Sequence, residues 1–167
     1  LKLLHSNPVF QPLSEAEQVE FAGLARGREV HKGEYLCHYG DDWPYLFMVA
    51  HGEIEASKES AEGRSLLVTT LKANEIFWGL SFFDPQLGMP VSLLARKPSR
   101  VYLWNRETCL PFLLQHGALS WELSRLMVQR MLRASDMVEE LAFQSVTGRL
   151  ARLLLEQYPA DQLSVER

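Results

Sequence analysis

Residues 33–59 read GEYLCHYGDDWPYLFMVAHGEIEASKE, and this stretch decides the fold class. Apolar and polar residues alternate along it, the alternation breaks at YGDD and again at HG, and a third alternating run follows. A period of two is typical of a strand with one buried face, and glycine at each break supplies the positive φ of a tight reversal. The stretch therefore predicts a row of short antiparallel hairpins.

The same pattern extends from Val30 to Trp104, with turn residues at intervals of about ten positions. Short strands at this spacing are typical of an antiparallel sandwich or barrel. Residues 1–26 read instead as helical pieces, one of which opens with a capping box at Ser14 and Glu17. The fold class expected from these patterns is mainly β with flanking helices.

From Arg106 the apolar period becomes that of a helix. Residues 106–117 predict a short helix closed by Gly117. The following residues predict a helix of about 24 residues with one continuous apolar stripe, and a third helix is expected from about residue 145. The stripe is wide enough to face both the rest of the chain and a partner helix. The positions expected at such a dimer seam are Leu123, Met127, Arg130, Ala134, Met137 and Leu141.

Composition and motifs exclude several classes of function. The net charge of −4 argues against this stretch being the main nucleic-acid-binding surface. No apolar run reaches the ~18 residues of a membrane helix, so we expect a cytoplasmic chain with no membrane partner. Cys37 and Cys109 lack the spacing of a metal site and are interpreted as structural thiols. No H-x-H, H-x-D or G-x-S-x-G motif is present where an enzyme would need it, so no catalytic residue is expected.

Three segments in this order resemble the sensory half of the Crp–Fnr family of bacterial transcription regulators. They are KGEYLCHYGDDWPYLFMVAHGEIEA at 32–56, ANEIFWGLSFF at 73–83 and LAFQSVTGRLARLLLEQ at 141–157. The resemblance implies an antiparallel double-stranded β-helix, or jelly roll, that holds a small effector, followed by a long helix that pairs with its twin in a homodimer.

The resemblance also implies a domain organisation. Residues 1–117 would form the cyclic-nucleotide-binding-like β-roll with its N-terminal helices, and residues 118–142 the dimerisation helix. Residues 143–167 would begin the linker to a winged helix-turn-helix domain that is missing from this chain. DNA would be bound only through that missing domain.

In the family, the effector is bound by a segment between two strands, which corresponds here to residues 74–95, NEIFWGLSFFDPQLGMPVSLLA, hereafter the cassette. Cyclic-nucleotide binding needs a carboxylate for the ribose and an arginine with a neighbouring hydroxyl for the phosphate. The resemblance puts Gly79 in the carboxylate position, and Met89 and Pro90 in the arginine and serine positions. The cassette contains no arginine, and burying an unpaired anion costs several kcal/mol. We therefore expect an effector other than cAMP or cGMP.

The expected pocket is apolar. Its predicted lining is Phe77, Trp78, Gly79, Leu80, Ser81, Met89, Pro90 and Val91. Either these side chains simply fill the roll, or they surround an apolar or haem-like effector. Trp78, which replaces the family's first pocket glycine, would plug the pocket or stack on the effector.

The cofactor is unknown from the sequence, with haem kept as a candidate and cAMP disfavoured. The histidines that could serve as haem or metal ligands are His5, His31, His38, His51 and His116. His31 and His51 lie at turns and are expected to face water. The alternatives to a sensor of another ligand are a cyclic-nucleotide-binding regulatory domain and a haem-based gas sensor of the same family.

Overall fold

The structure, a computed structural model, describes residues 1–59, 64–143 and 148. Helices flank a block of strands in these residues, and two short 3₁₀ helices span Pro8–Phe10 and Leu80–Phe82. The helices are α1 (Lys2–Ser6), α2 (Glu15–Gly23), α3 (Arg106–Gln115) and α4 (Gly117–Phe143). The strands are β1 (Arg26–Val30), β2 (Tyr35–Cys37), β3 (Tyr45–His51), β4 (Glu53–Glu59), β5 (Ser65–Lys72), β6 (Ile76–Trp78), β7 (Ser92–Ala95) and β8 (Ser99–Asn105).

The strands form two four-stranded antiparallel sheets, in the orders β1-β8-β3-β6 and β2-β7-β4-β5. Consecutive strands alternate between the sheets, except for the β4–β5 hairpin within one sheet, as in a jelly roll. The predicted fold class is therefore confirmed. Two strands were missed, because β1 (Arg26–Val30) falls between the residues read as helical and the start of the period-two pattern, and β6 has only three residues, Ile76–Trp78.

Strand β3 is the central wall of the roll. Four consecutive residues, Leu46 to Val49, are buried, so the strand is covered on both faces. Phe47 and Val49 belong to the core between the sheets. Leu46 pairs instead with Trp104, whose ring stacks on Phe21 of α2 at 5.0 Å. A second, aromatic layer thus lies on the outer face of this sheet.

The predicted hairpin glycines adopt the left-handed backbone that the pattern required. Gly33, Gly40 and Gly52 have φ values of 84°, 84° and 91°. A side chain on Gly52 would also collide with Ser99, so glycine is needed there for space as well as for conformation.

The capping box predicted at the start of α2 is present. The Glu17 carboxylate accepts hydrogen bonds from the backbone N–H and the hydroxyl of Ser14, both at 2.7 Å, and the Glu17 N–H donates to Ser14 Oγ. After the last strand, the prediction that Gly117 closes α3 is wrong. His116 caps α3, and Gly117 is the first residue of α4.

The chain divides into two compact units, Leu1–Glu122 and Leu123–Arg167. The first holds both sheets and the cores described above. The described part of the second is the remainder of α4, as far as Phe143, and Gly148. The helix expected from about residue 145 lies outside the described residues. None of the helices in the described part of the chain is both long and apolar enough to span a bilayer.

Candidate functional site

The cassette wraps the end of the roll between β6 and β7. β6 leads into the 3₁₀ helix Leu80–Phe82, and a chain without regular structure then returns to β7. Ser81 and Phe82 are buried in this helix, whereas the flanking Leu80 and Phe83 are exposed. The prediction that Leu80 lines a buried pocket is therefore wrong, because the tight turn rotates its side chain to the surface.

The predicted lining residues do not all face the interior of the roll. Gly79, Ser81, Met89 and Val91 are buried, Phe77, Trp78 and Pro90 are half-buried, and Leu80 is exposed. Met89 and Val91 belong to the core between the sheets, and Phe77 packs against that core. The structure thus brings Phe77, Met89 and Val91 together inside the roll.

Trp78 lies on the opposite face of β6 from the interior. Its cross-strand neighbour is Leu46, on the outer face of β3, whereas Phe77 lies beside Phe47 of the core. Directly paired residues share a face and successive residues alternate. Trp78 accordingly meets Phe83 edge to face, with ring centroids 6.2 Å apart. The prediction that Trp78 occupies the pocket, as a plug or as a stacking platform, is wrong, because the residue of β6 that faces inward is Phe77, one position earlier.

The tryptophan inside the roll is Trp43. It lies in the β2–β3 connection, residues 38–44, hereafter the Trp43 loop. Its side chain is 7% exposed, belongs to the core with Met89, and contacts the Tyr45 ring at 4.9 Å. Sequence reasoning missed it, although a large aromatic residue between a predicted turn and a proline hinted at a side chain folded inward.

Backbone hydrogen bonds fasten the Trp43 loop to the cassette. The Gly40 N–H donates to the Met89 carbonyl and the Met89 N–H donates to the Asp41 carbonyl, both at 2.8 Å. The Trp43 N–H donates to Ser81 Oγ at 2.9 Å. These bonds tie the Trp43 loop to the cassette at Ser81 and at Met89, and they fix the backbone of Trp43 beside the cassette.

Two glycines of the cassette are required by this close approach. A Cβ on Gly79 would overlap the carbonyl oxygen of Trp43 and lie 2.9 Å from Cδ1 of its indole. A Cβ on Gly88 would lie 2.6 Å from the Gly40 carbonyl oxygen. The space beside Gly79, where the family resemblance would put a carboxylate side chain, is thus filled by the Trp43 loop.

The indole Nε1–H of Trp43 is buried and has no hydrogen-bond acceptor among the residues that the structure describes. Buried donors are nearly always paired, so this N–H is an unused polar group within an otherwise apolar interior. An effector or a buried water with one acceptor atom could use it.

Positive charge near the cassette comes from outside it. Arg106, the first residue of α3, donates from Nε to the Phe82 carbonyl at 3.0 Å, and its backbone N–H donates to the Pro44 carbonyl. The linear pattern gave no hint of this cation, because 23 positions separate it from Phe83, the end of the segment that carries the resemblance. Within the cassette itself, the position predicted for the phosphate-binding arginine is Met89, which is 1% exposed.

The histidines present do not fit a haem bound inside the roll. An axial ligand must reach into the pocket, yet His5, His31, His38 and His51 are exposed, as predicted for His31 and His51. His116 is held by Phe112 and Glu17 on the helical side. In the described ranges no three His, Cys, Asp or Glu side chains converge as metal ligands would.

Both cysteines are buried. Burial is the main cause that raises the pKa of Cys37 to about 12, with a contribution from Asp41, and burial alone raises that of Cys109 to about 12. The thiols are therefore protonated and inert at neutral pH, in agreement with the structural role expected of them.

The apolar stripe of α4 changes character along the helix. Leu119 and Leu123 are buried, whereas Met127, Met131 and Val138 are 37%, 64% and 65% exposed. Among the other predicted seam residues, Arg130 is half-buried, Ala134 and Met137 are exposed, and the side chain of Leu141 lies outside the described residues.

Comparison with known proteins gives a consistent picture. Residues 27–116 match the family described as the cyclic nucleotide-binding domain. A CRP-like cAMP-activated global transcriptional regulator of Mycobacterium tuberculosis is 24% identical over 125 residues, which are 75% of this chain and 55% of that protein. The chain thus spans about half the length of this curated relative.

Solved structures share the fold. The catabolite activator protein of Thermus thermophilus superposes with a TM-score of 0.73 at 21% identity, over 90% of this chain and 72% of that one. The sensor domain of the transcriptional regulator DNR from Pseudomonas aeruginosa superposes with a TM-score of 0.68 at 19% identity, over 87% of this chain and 95% of that one. The second comparison covers almost all of a sensor domain.

Proposed function

The chain belongs to the cyclic nucleotide-binding domain family, and from this premise we propose that it is the effector-sensing and dimerisation module of a Crp–Fnr-type transcription regulator that responds to a ligand other than cAMP. The resemblance to Crp–Fnr sensory domains is confirmed by the family match and the relatives. The identity of the effector and the dimer are the proposed parts.

The main observation against cAMP is that the Trp43 loop occupies the space beside the cassette in the roll. Gly79 offers no carboxylate for a ribose, and the space beside it is taken by Trp43. Met89 is an apolar core residue where a guanidinium would be needed. A cyclic phosphate brought there would lose water without gaining a partner, at a cost of several kcal/mol.

Dimerisation is supported by the exposed half of the α4 stripe. Met127, Met131 and Val138 expose apolar surface at helical spacing over three turns. A contiguous apolar face of this kind on a soluble protein marks an interaction surface. A second copy of the same helix offers the matching surface in a twofold-symmetric pair.

We assign DNA recognition to another part of the regulator. The net charge of this chain is −4, which disfavours it as the DNA-contacting surface. The division into a β-roll (1–117), a dimerisation helix (118–142) and the start of a linker (143–167) remains part of this proposal. So does a cytoplasmic location, where a transcription regulator meets its DNA.

Mass spectrometry of small molecules extracted from the purified chain, together with its absorbance spectrum, tests the effector assignment. We expect no cAMP or cGMP in the extract and no Soret band. Stoichiometric cAMP would contradict the proposal and favour a cyclic-nucleotide-binding regulatory domain. A Soret band at one haem per chain would instead show a haem-based sensor and overturn the misfit of the histidines.

A further inference from the structure

His116 lies at the junction between α3 and α4 and faces two hydrogen-bond acceptors at once. Its Nδ1 is 2.8 Å from the carbonyl oxygen of Phe112, in the last turn of α3. Its Nε2 is 3.3 Å from Oε1 of Glu17, in the first turn of α2. The side chain of His116 is 17% exposed, whereas that of Glu17 is 38% exposed and stays in contact with water.

Only the doubly protonated ring satisfies both contacts. A carbonyl oxygen and a carboxylate are acceptors without a proton to give, and neutral imidazole has a single N–H. With that N–H directed at Phe112, the Nε2 lone pair would face the Glu17 carboxylate, and an attraction would become a repulsion. Protonation supplies both donors and opposite charge at the same time.

Glu17 is the charged side chain for which the structure gives a contact with the ring. The sequence from residue 108 to residue 121 contains no acidic or basic residue other than His116. On its flat side, the imidazole stacks on the Phe112 ring with centroids 3.8 Å apart and planes 14° apart. A neutral aromatic neighbour adds no titrating group, so the charge of this contact is set by the histidine and by Glu17.

We propose that His116 and Glu17 form an acid-strengthened latch that joins α2 to the junction of α3 and α4. Protonation of His116 supplies the second donor and the opposite charge, and so tightens this tie between the N-terminal helices and the residue that immediately precedes α4. The latch is an input separate from any effector in the roll and goes beyond the proposed function.

The Glu17 carboxylate is suited to this role because it is already ionised and fixed. Hydrogen bonds from the hydroxyl and the N–H of Ser14 are the main causes that hold the pKa of Glu17 below its ordinary value, with His116 contributing less. Glu17 therefore stays charged at mildly acidic pH, so the carboxylate side of the contact does not change there.

A double-mutant cycle at two pH values tests the latch in the full chain. The variants are Glu17→Gln, His116→Gln and the double variant, with unfolding by urea measured at about pH 5.5 and about pH 8.5, on either side of the histidine range. Glutamine at position 17 keeps the capping box and removes only the charge. Glu15→Gln, in the same first turn of α2, is the matched control for the loss of a negative charge at the helix start.

We expect a favourable coupling between positions 17 and 116 of about two- to fivefold in the unfolding constant at the lower pH, and a coupling that is absent or of opposite sign at the higher pH. Glu15→Gln should have the same effect at both pH values. A coupling of equal size at both pH values, or no coupling at the lower pH, would show that the contact is a packing feature without a proton switch.

Discussion

Trp43 and Trp104 are both buried, but the structure gives a hydrogen-bond acceptor for the indole N–H of Trp104 alone of the two. The Trp104 Nε1–H donates to the Phe21 carbonyl at 2.8 Å, whereas the Trp43 Nε1–H has no acceptor in the described part of the chain. Removing the bonded N–H of Trp104 loses a hydrogen bond in the core, and the Phe21 carbonyl then keeps only the Leu24 N–H, whereas removing the unbonded N–H of Trp43 loses no bond. The same substitution at the two positions therefore separates the contribution of the hydrogen bond from that of the ring.

For Trp104→Phe we expect a loss of unfolding free energy about 1–3 kcal/mol larger than for Trp43→Phe. Both changes remove similar volume from a packed site, so the packing cost is matched. Urea denaturation of the two variants and the wild type measures the difference. Equal losses would mean that Trp43 Nε1–H already has a partner, such as an ordered water.

Gly79 is the residue whose lack of a side chain matters most for the seam between the Trp43 loop and the cassette. A methyl group there would overlap the Trp43 backbone, which cannot move without breaking the hydrogen bond to Ser81. We expect Gly79→Ala to lower the unfolding free energy by about 1–3 kcal/mol, as overpacking does.

Gly23→Ala is the matched control for Gly79→Ala. No atom lies within 4 Å of the Cβ position of Gly23, at the end of α2, so alanine should be neutral or slightly stabilising there. Thermal unfolding of both variants provides the comparison. A Gly79→Ala midpoint equal to that of Gly23→Ala would show that the loop and the cassette do not meet as described.

At the scale of the element, α4 is the clearest case in which a sequence pattern and its structure agree. The apolar spacing predicted one long helix, and one helix runs from Gly117 to Phe143. The pattern could not tell which part of the stripe the chain itself covers. In the structure, Leu119 and Leu123 are buried, whereas Met127, Met131 and Val138 are exposed.

Met127→Glu and Ala134→Glu should convert a dimer into a monomer. Each would bring two like charges together across a twofold axis, and buried unpaired charge is strongly destabilising. Gln129→Glu, at an exposed position outside the predicted seam, is the control and should stay dimeric. Sedimentation velocity distinguishes the two states. A dimer that survives both seam substitutions would place the interface elsewhere.

At the scale of the whole molecule, the features predicted correctly are those that follow from repeated local patterns. The features missed are those in which a shift of one residue along a strand decides which side chain faces inward. The hairpin glycines, the capping box and the two-sheet roll follow from local patterns, because turn chemistry and periodicity act over a few residues. The missed strand β1 (Arg26–Val30) alternates charges with glycine and valine, RGREV, and has little apolar signal.

The residues that line the pocket could not be predicted from local sequence patterns. Phe77 and Trp78 are adjacent and both aromatic, so their sequence cannot say which one faces inward. The contact between Trp43 and Gly79 joins residues far apart in the chain, and it explains the glycine by packing rather than by the loss of a carboxylate. Only the cross-strand pairing resolves these points.

Isothermal titration calorimetry of this chain with cAMP tests the central claim most directly, with the M. tuberculosis cAMP-activated relative as the positive control. The claim is that the roll, closed by Trp43 and lacking a cation at Met89, does not accept a cyclic nucleotide. We predict no saturable heat up to a cAMP concentration of about 1 mM, equivalent to binding weaker than about −4 kcal/mol. Saturable binding in the micromolar range would contradict the account, because it would require the Trp43 loop to leave the cassette and a cation such as Arg106 to reach the phosphate.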